Sequence, residues 1–168
     1  MLSREFYQRK TLVVARELLG KFLVHASTGS AQVGMITETE AYHGPHDLAS
    51  HASRGRTPRT QLMFGPAGHA YTYLIYGMYY CLNVVTEEEN YPAAVLIRAV
   101  EGITGPGRLS RHFNIDKSLN GEDMTKSKKL WIEDRGIVLP PRRILRTPRV
   151  GIDYAGEYKD KKWRFVIK

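Results

Sequence analysis

Two glutamates, Glu38 and Glu40, stand two residues apart in a segment whose alternating pattern predicts a β-strand. Because successive side chains of a strand point to opposite faces, both carboxyl groups would share one face with Tyr42, opposite Thr37 and Thr39. Partial burial would raise the pKa of such a carboxyl group and prepare it to deprotonate water during glycosidic-bond hydrolysis. A strand-edge face paired with arginine or lysine is the structural alternative.

The run from Tyr71 to Asn83 reads YTYLIYGMYYCLN, and two alternating halves meet at Tyr76 and Gly77. The pattern predicts a β-hairpin with an aromatic residue at its tip, because Gly77 supplies the positive φ of a tight turn. On a basic chain, such an aromatic can enter a base stack as minor-groove wedges do. An aromatic-rich hairpin buried in a core is the alternative, because aromatic residues favour strands in any context.

Three histidines, His43, His46 and His51, accompany Asp47 in a loop over residues 43–59. Their spacing is a poor match for a metal site, because it offers neither helical i, i+4 pairing nor a cysteine partner. We therefore expect no metal and no other cofactor, with one histidine orienting the substrate or a water molecule.

The same loop is basic and follows an acidic strand end, which favours phosphate contacts over a solvated charge cluster. The residues assigned to DNA binding in this loop are Arg54, Arg56, Thr57 and Arg59.

The composition of the 168 residues, 42 % hydrophobic and 25 % charged, is typical of a single domain over residues 1–168. A formal net charge of +8 favours a polyanionic partner, because phosphate contacts release counterions. The single cysteine, Cys81, excludes an intrachain disulfide and indicates a reducing compartment. The chain contains no GxGxxG, P-loop, HExxH or GxSxG motif, and one cysteine cannot complete a zinc-deaminase site.

The N-terminus lacks the apolar core of a signal peptide, and no segment approaches the roughly 18 apolar residues of a membrane span. We therefore expect a soluble intracellular protein without membrane contacts, in the cytoplasm or nucleoid of a prokaryote or the nucleus of a eukaryote.

The elements that must position these side chains are mostly strands. Helical spacing predicts a core helix over residues 11–19, with Thr11 as N-cap and Gly20 just past its end, and a second helix over residues 108–113. Strands are predicted over residues 21–25, 32–42, 71–75, 79–83, 93–100, 130–133, 142–145, 149–154 and 163–167, with a turn at 27–30. The predicted class is α+β: a curved, mostly antiparallel sheet with a protruding β-hairpin and a few packed helices.

Six motifs run nearly end to end through the chain: ETEAY at 38–42, GPHDLASH ending at His51, RTPR at 56–59, MFGPAGHAYTYLIYGMYYCLNVV at 63–85, AVLIRAVE at 94–101 and RVGIDYAG at 149–156. Through them the chain closely resembles the alkyladenine (3-methyladenine) DNA glycosylase family. The resemblance implies a monofunctional, metal-independent base-excision enzyme that acts as a monomer on double-stranded DNA containing damaged purines. It would flip the damaged nucleotide out of the duplex and hydrolyse its N-glycosidic bond.

The resemblance also implies roles for individual residues. Glu40 would be the general base that activates the attacking water, while Arg98 and the backbone of His51 would hold that water or the adjacent phosphate. Tyr42, His51 and Tyr73 would form the slot in which the flipped base stacks.

The same resemblance implies that residues of the hairpin contact DNA. Tyr76 would fill the gap left in the duplex, with Met78 and Tyr79 beside it along the minor groove. Asn83 would exclude normal guanine by clashing with its exocyclic amino group. The chain departs from the family over residues 101–105, where family members carry a longer insertion, and over residues 114–129.

Two other functions stay open from the residues alone. A non-enzymatic module for damaged DNA could use the same wedge and basic loop, although a pure binder gains nothing from carboxylates near phosphates. A carbohydrate hydrolase could use both glutamates, but side chains roughly 7 Å apart on one strand cannot easily flank a bond from opposite sides.

Overall fold

Strands outnumber helices in the computed structural model, which describes residues 1–27 and 30–168. Within these ranges the α-helices are Arg4–Tyr7 (α1), Thr11–Glu17 (α2) and Pro106–His112 (α3). The strands are Phe22–Ser27 (β1), Ser30–His43 (β2), Ala70–Ile75 (β3), Tyr79–Val85 (β4), Ala93–Val100 (β5), Ile103–Thr104 (β6), Leu130–Glu133 (β7), Ile144–Thr147 (β8) and Arg164–Ile167 (β9). Short 3₁₀ turns cover His51–Arg54, Gln61–Phe64, Lys117–Leu119, Pro141–Arg143 and Gly156–Lys159.

The sheet is organised around the long strand β2. The strand order is β3-β4-β5-β2-β1-β7, β6 pairs with β5, β9 pairs with β2 and β8, and the paired strands are antiparallel. The first half of β2 pairs with β1, and its second half pairs with β5 and β9. The predicted α+β class and mostly antiparallel sheet are therefore confirmed.

The helices pack on the sheet and close its core. The hydroxyl of Thr39 on β2 donates a hydrogen bond of 2.7 Å to the carbonyl of Ala15 on α2. Leu109 of α3 and Leu82 of β4 lie completely buried in the same apolar cluster. Strand β5 is buried along most of its length. No helix in the described ranges is long and apolar enough to cross a membrane.

The prediction of the first helix is wrong in its N-cap residue and in its C-terminal boundary. Helix α2 begins at Thr11 and ends at Glu17, and Lys10 occupies the N-cap position. Thr11 donates both its backbone N–H, at 2.7 Å, and its hydroxyl, at 2.8 Å, to Oε1 of Glu87. A carboxylate from a distant loop therefore caps this helix, which local spacing cannot reveal. Gly20, with φ of +81°, does follow the helix in the left-handed conformation.

Two strands predicted in the C-terminal part are corrected. Residues 149–154 form bends and a turn, because Gly151 has φ of +73° and Arg149 is anchored through its side chain. The strand predicted at 142–145 begins two residues later, after the 3₁₀ turn Pro141–Arg143. Helix α1 was not predicted, and helix α3 begins at Pro106, two residues before the predicted start. The turn predicted at 27–30 includes Thr28 and Gly29, which lie outside the described residues.

Candidate active site

A cavity of about 530 Å³ opens beside the β3–β4 hairpin. Its wall brings together residues from β2, the loop after it, the hairpin, β5 and the segment after β8. Seven residues predicted from the sequence line it: Tyr42, His51, Arg59, Tyr73, Tyr76, Asn83 and Arg98.

Aromatic rings form one side of this cavity. Tyr71 and Tyr73 project from the same face of β3, and their ring centroids lie 5.5 Å apart. The His51 ring meets Tyr73 edge to face at 4.5 Å, and its Nδ1 lies 3.1 Å from the Tyr71 hydroxyl. Burial lowers the pKa of His51 to about 4, with help from the positive charges of Arg59 and Arg54. At neutral pH the rings therefore present an uncharged surface.

Glu40 lies completely buried next to this cavity. Its Oε1 accepts the backbone N–H of Val150 at 2.8 Å, and its Oε2 accepts the Tyr42 hydroxyl at 2.9 Å. Nη1 of Arg98 lies 3.4 Å from Oε1. Burial raises the pKa of the Glu40 carboxyl above its ordinary value, and these three neighbours offset only part of the shift.

The Glu40 carboxylate does not itself line the cavity, but each of its three partners, Tyr42, Arg98 and Val150, does. Val150 and Tyr42 occupy two of the about four acceptor sites of the carboxylate, and Arg98 adds an ion-pair contact. The arrangement combines a desolvated carboxylate, a cation and a neighbouring space large enough for a ligand.

Irregular pairing between β2 and β5 places Arg98 against the two glutamates. Ile36 pairs with Val100, Glu38 with Ala99 and Thr39 with Ile97, so Thr37 and Arg98 are the extra residues of the register shifts. Such bulges redirect a side chain locally.

Glu38 takes the structural role that the sequence offered as an alternative. Its Oε1 accepts Nε of Arg98 at 2.8 Å and Nη1 of Arg164 at 2.7 Å. Both glutamates contact Arg98, which was not predicted, and they differ in environment. Glu38 is part of an ion-pair cluster, and Glu40 is the acid that neighbours the cavity.

The hairpin has an exposed tip and a buried base. Tyr76 is 85 % exposed and Met78 is 68 % exposed, whereas Leu82 is completely buried. The turn closes through the Met78 N–H, which donates to the Ile75 carbonyl at 3.1 Å. Gly77 has the expected positive φ, of +67°, and Tyr76 also has a positive φ, of +52°. Tyr76 is held in a conformation that costs a side-chain-bearing residue about 1–2 kcal/mol.

The base of the tip is fixed by helix α3. Tyr79 is 36 % exposed and packs on Gly107, where an added Cβ would come within 3.0 Å of the Tyr79 ring. A larger residue at position 107 would therefore displace the strand that carries the tip.

The acidic and histidine side chains at the end of β2 and in the loop after it contact different partners. Asp47 pairs with Arg149 at 2.6 Å, His43 lies 3.3 Å from Glu87, and His51 contacts Tyr71. Over residues 1–27 and 30–168, no group of three or more His, Cys, Asp or Glu residues could hold a metal ion.

The basic loop residues are exposed but differ in their contacts. Arg59 lines the cavity, with its guanidinium carbon 5.7 Å from the Tyr73 ring centroid. Arg56 donates to Asn90 at 2.6 Å, and the Thr57 hydroxyl lies 3.0 Å from that of Thr60. Arg59 alone of these residues reaches the cavity, while Arg54, Arg56 and Thr57 lie outside its wall.

Sequence reasoning missed two contributors to this site. Val150 acts through a backbone N–H, which leaves no side-chain signature. Tyr71 shares a strand face with Tyr73, so the same alternation that indicated Tyr73 could have indicated it.

Comparison with known proteins shows the family of the chain. A family model described as methylpurine-DNA glycosylase matches residues 5–104 and 101–168. A protein of Legionella pneumophila (strain Lens) is 51 % identical over 174 residues, covering 99 % of this chain and 94 % of its own length. One from Methanocella arvoryzae is 47 % identical over 188 residues, covering 100 % and 92 %. Both are named as proposed 3-methyladenine DNA glycosylases. The chain therefore belongs to the methylpurine-DNA glycosylase family.

Proposed function

We propose that this protein is a monofunctional DNA glycosylase of base excision repair, acting as a monomer without a cofactor. It flips alkylated or deaminated purine nucleotides out of duplex DNA and hydrolyses their N-glycosidic bonds. The observation that carries the proposal is the aromatic cavity beside an exposed hairpin, with the buried Glu40 carboxylate directly behind its wall.

Glu40 is the general base of the proposed reaction. It takes a proton from a water molecule, whose oxygen bonds to C1′ of the sugar as the C1′–N bond breaks. The bonding electron pair leaves with the purine. A raised pKa makes this carboxylate a better proton acceptor than an exposed glutamate, and Arg98 holds the water or the adjacent phosphate.

The cavity rings receive the flipped base. Tyr42 and Tyr73 offer π faces to a cationic or electron-poor purine, together with His51. Because the pKa of His51 is lowered to about 4, the ring adds no positive charge that would repel a methylated, cationic base.

The exposed tip of the hairpin and the basic loop supply the DNA contacts. Tyr76 enters the base stack where the nucleotide has left, with Met78 and Tyr79 along the minor groove. Arg54, Arg56, Thr57 and Arg59 contact phosphates.

An excision assay tests the proposed function. The protein is incubated, with EDTA present, with a duplex containing hypoxanthine, and then the DNA is treated with alkali. We expect strand breaks only at the lesion and only after alkali, because hydrolysis leaves an abasic site in an intact strand. Tight lesion binding without any break would instead indicate a non-enzymatic binding module.

Replacement of Tyr76 with alanine should reduce excision on duplex DNA by about 10-fold or more, because a base-stacking side chain is worth about 1–3 kcal/mol. Excision from a single strand, which needs no wedge, should change less than about threefold. Single-turnover rates on the two substrates measure this difference.

Two further variants separate a wedge from a structural role at this position. Tyr91→Ala removes an exposed tyrosine that does not line the cavity, and it should leave both rates unchanged. Tyr76→Gly relieves the strain of the positive φ at this position. This variant should therefore unfold at a denaturant concentration equal to or higher than that of the unmodified protein, while it loses excision activity on duplex DNA. Equal losses on both substrates in Tyr76→Ala would show that Tyr76 is only structural.

Replacement of Asn83 with serine should raise the release of normal guanine relative to 7-methylguanine by about 10-fold or more. Asn83 lines the cavity, and its Nδ2 donates to the Tyr71 carbonyl at 3.0 Å, which fixes the side chain against the wall. Loss of a steric contact of this size is worth about 1–3 kcal/mol of discrimination. Chromatography of the released bases measures the ratio. Cys81→Ala enlarges the same wall as a control, and an unchanged ratio in Asn83→Ser would contradict the exclusion role.

A further inference from the structure

Arg149 is a buried arginine that joins three separate segments around the cavity. Its Nη1 and Nη2 donate to the two carboxylate oxygens of Asp47 at 2.6 and 2.8 Å. Nη1 also donates to the Ala41 carbonyl at 2.8 Å, and Nη2 donates to the Tyr158 carbonyl at 3.4 Å. Neither the Arg149 nor the Asp47 side chain is exposed. Such a bidentate pair has one favoured geometry, so it fixes the positions of its partners.

Two aromatic rings enclose the Arg149 guanidinium. Its central carbon lies 4.8 Å from the ring centroid of Tyr42 and 5.0 Å from that of Trp163. The Tyr42 ring thus has a guanidinium beside it and also forms part of the cavity wall. A change in the position of Arg149 would therefore be transmitted to Tyr42.

Two residues that adjoin Arg149, one in space and one in the chain, also contact Glu40. Val150, the next residue in the chain, donates its N–H to Oε1, and Tyr42 donates its hydroxyl to Oε2. Arg149 therefore fixes two of the three groups that surround the carboxylate, and the third is Arg98. The positive charge of Arg149 also opposes the rise in the pKa of Glu40 that burial causes.

The stability of the fold is a weak explanation for this arginine. A buried ion pair loses hydration on both partners, and well-packed apolar residues often serve equally well. In the part of the chain described, the Nε of Arg149 is also buried without a hydrogen-bond partner, which is a further cost. The Arg149–Asp47 ion pair connects the end of β2, the loop that carries Ala49 and Ser50, and the segment that carries Val150. Each of these three segments contributes residues to the cavity wall.

We propose that Arg149 is a positioning residue of the glycosylase reaction, which sets Tyr42 and Val150 against the Glu40 carboxylate. The inference rests on the proposed function, because it assigns to Glu40 the part of the general base. Arg149 itself touches neither the substrate nor the attacking water.

The test compares Arg149→Met and Arg149→Lys with the unmodified protein. The measured quantity is the single-turnover rate of 7-methylguanine excision across pH, at saturating protein and at a temperature where each variant is folded. We expect Arg149→Met to lose about 10- to 100-fold in rate at saturating protein, the penalty of a misplaced catalytic group. The acid limb of its pH profile should move to higher pH, because a positive charge near Glu40 is lost. Arg149→Lys should recover part of both effects.

The charged and titratable groups that face Glu40 are Arg98 from β5, Tyr42 from its own strand, Tyr73 and Cys81 from the hairpin, and Arg149. All but Arg149 are retained in these variants, so a shifted limb reports the loss of Arg149. If Arg149→Met does not fold, Arg149→Lys decides alone, because a lysine without bidentate geometry should still lower the rate.

A matched control separates positioning from stability. Arg4→Met removes an arginine that is only partly buried and pairs with Asp123 at 2.6 Å outside the cavity wall. It should lower the free energy of unfolding without moving the acid limb. An unchanged rate and limb in both Arg149 variants, or the same shift in Arg4→Met, would overturn the inference. Failure of the unmodified protein to excise would instead overturn the proposed function.

Discussion

Replacing Glu40 with glutamine should reduce the single-turnover excision rate by about 10²- to 10⁴-fold, the contribution of a general base. Affinity for a lesion-containing duplex should change less than about threefold, because the carboxylate lies behind the cavity wall instead of forming it. Glutamine keeps the size of the side chain and an acceptor oxygen for Val150 or Tyr42, but it cannot take a proton from water. Quenched-flow excision and equilibrium binding to the same hypoxanthine duplex measure the two quantities.

Glu38→Gln is the matched control for this variant. Glu38 lies on the same strand face and contacts the same Arg98, but it belongs to the ion-pair cluster with Arg164. Its replacement should reduce the rate by less than about 10-fold, through a looser Arg98. Equal losses of activity in the two variants would contradict the assignment of Glu40, and so would an equal loss of binding and excision in Glu40→Gln.

The same variant carries a prediction about stability. Burial raises the pKa of Glu40 in the folded state, so its contribution to stability is full below the unfolded pKa and is lost as pH rises through the folded pKa. Glutamine resembles the protonated carboxyl and does not ionise. We therefore expect Glu40→Gln to have an equal or larger free energy of unfolding than the unmodified protein at pH 7, with the difference shrinking at lower pH. Denaturant unfolding at several pH values measures it, and clear destabilisation at pH 7 would contradict it.

Local patterns predicted the parts of the site that lie close together in the chain. Alternation placed Glu38, Glu40 and Tyr42 on one strand face, and the structure brings the first two to Arg98 and the third to Glu40. The hairpin was predicted for a similar reason, since a turn and two short strands form a local unit. Hydrophobic periodicity is a local signal, and it is sufficient to predict these elements.

Contacts between distant segments were not predictable in this way. Arg149 and Asp47 are 102 positions apart, and the alternation around Arg149 indicated a strand where the chain in fact bends. The bulge at Arg98 depends on how β5 aligns with β2, which no spacing within β5 records. The positive φ of Tyr76 likewise follows from closure of the turn, because residue type alone disfavours it.

Excision of methylated and of neutral purines should depend differently on pH. A methylated purine is already cationic, so its excision requires only the ionised Glu40 carboxylate. The excision rate should rise tenfold per pH unit below the pKa of Glu40 and reach a plateau above it. That pKa is raised by burial, so the limb should lie above the ordinary range of an exposed glutamate. Hypoxanthine must first be protonated, so its excision should fall as pH rises beyond the plateau. Single-turnover rates on 7-methylguanine and hypoxanthine duplexes measure both profiles.

The acid limb can be assigned to Glu40 by variants. His51 also titrates within the cavity, but its pKa is lowered to about 4, so its ionisation falls below the limb expected for Glu40. His51→Gln should therefore leave the position of the limb unchanged even if the rate falls. In Glu40→Gln the limb should vanish from the residual activity on 7-methylguanine, while the fall at high pH on hypoxanthine should persist, because it belongs to the substrate. If both lesions gave the same pH profile, protonation of hypoxanthine would not be required before the base departs. If the acid limb moved to another pH in His51→Gln, the general base would be the histidine and not the glutamate.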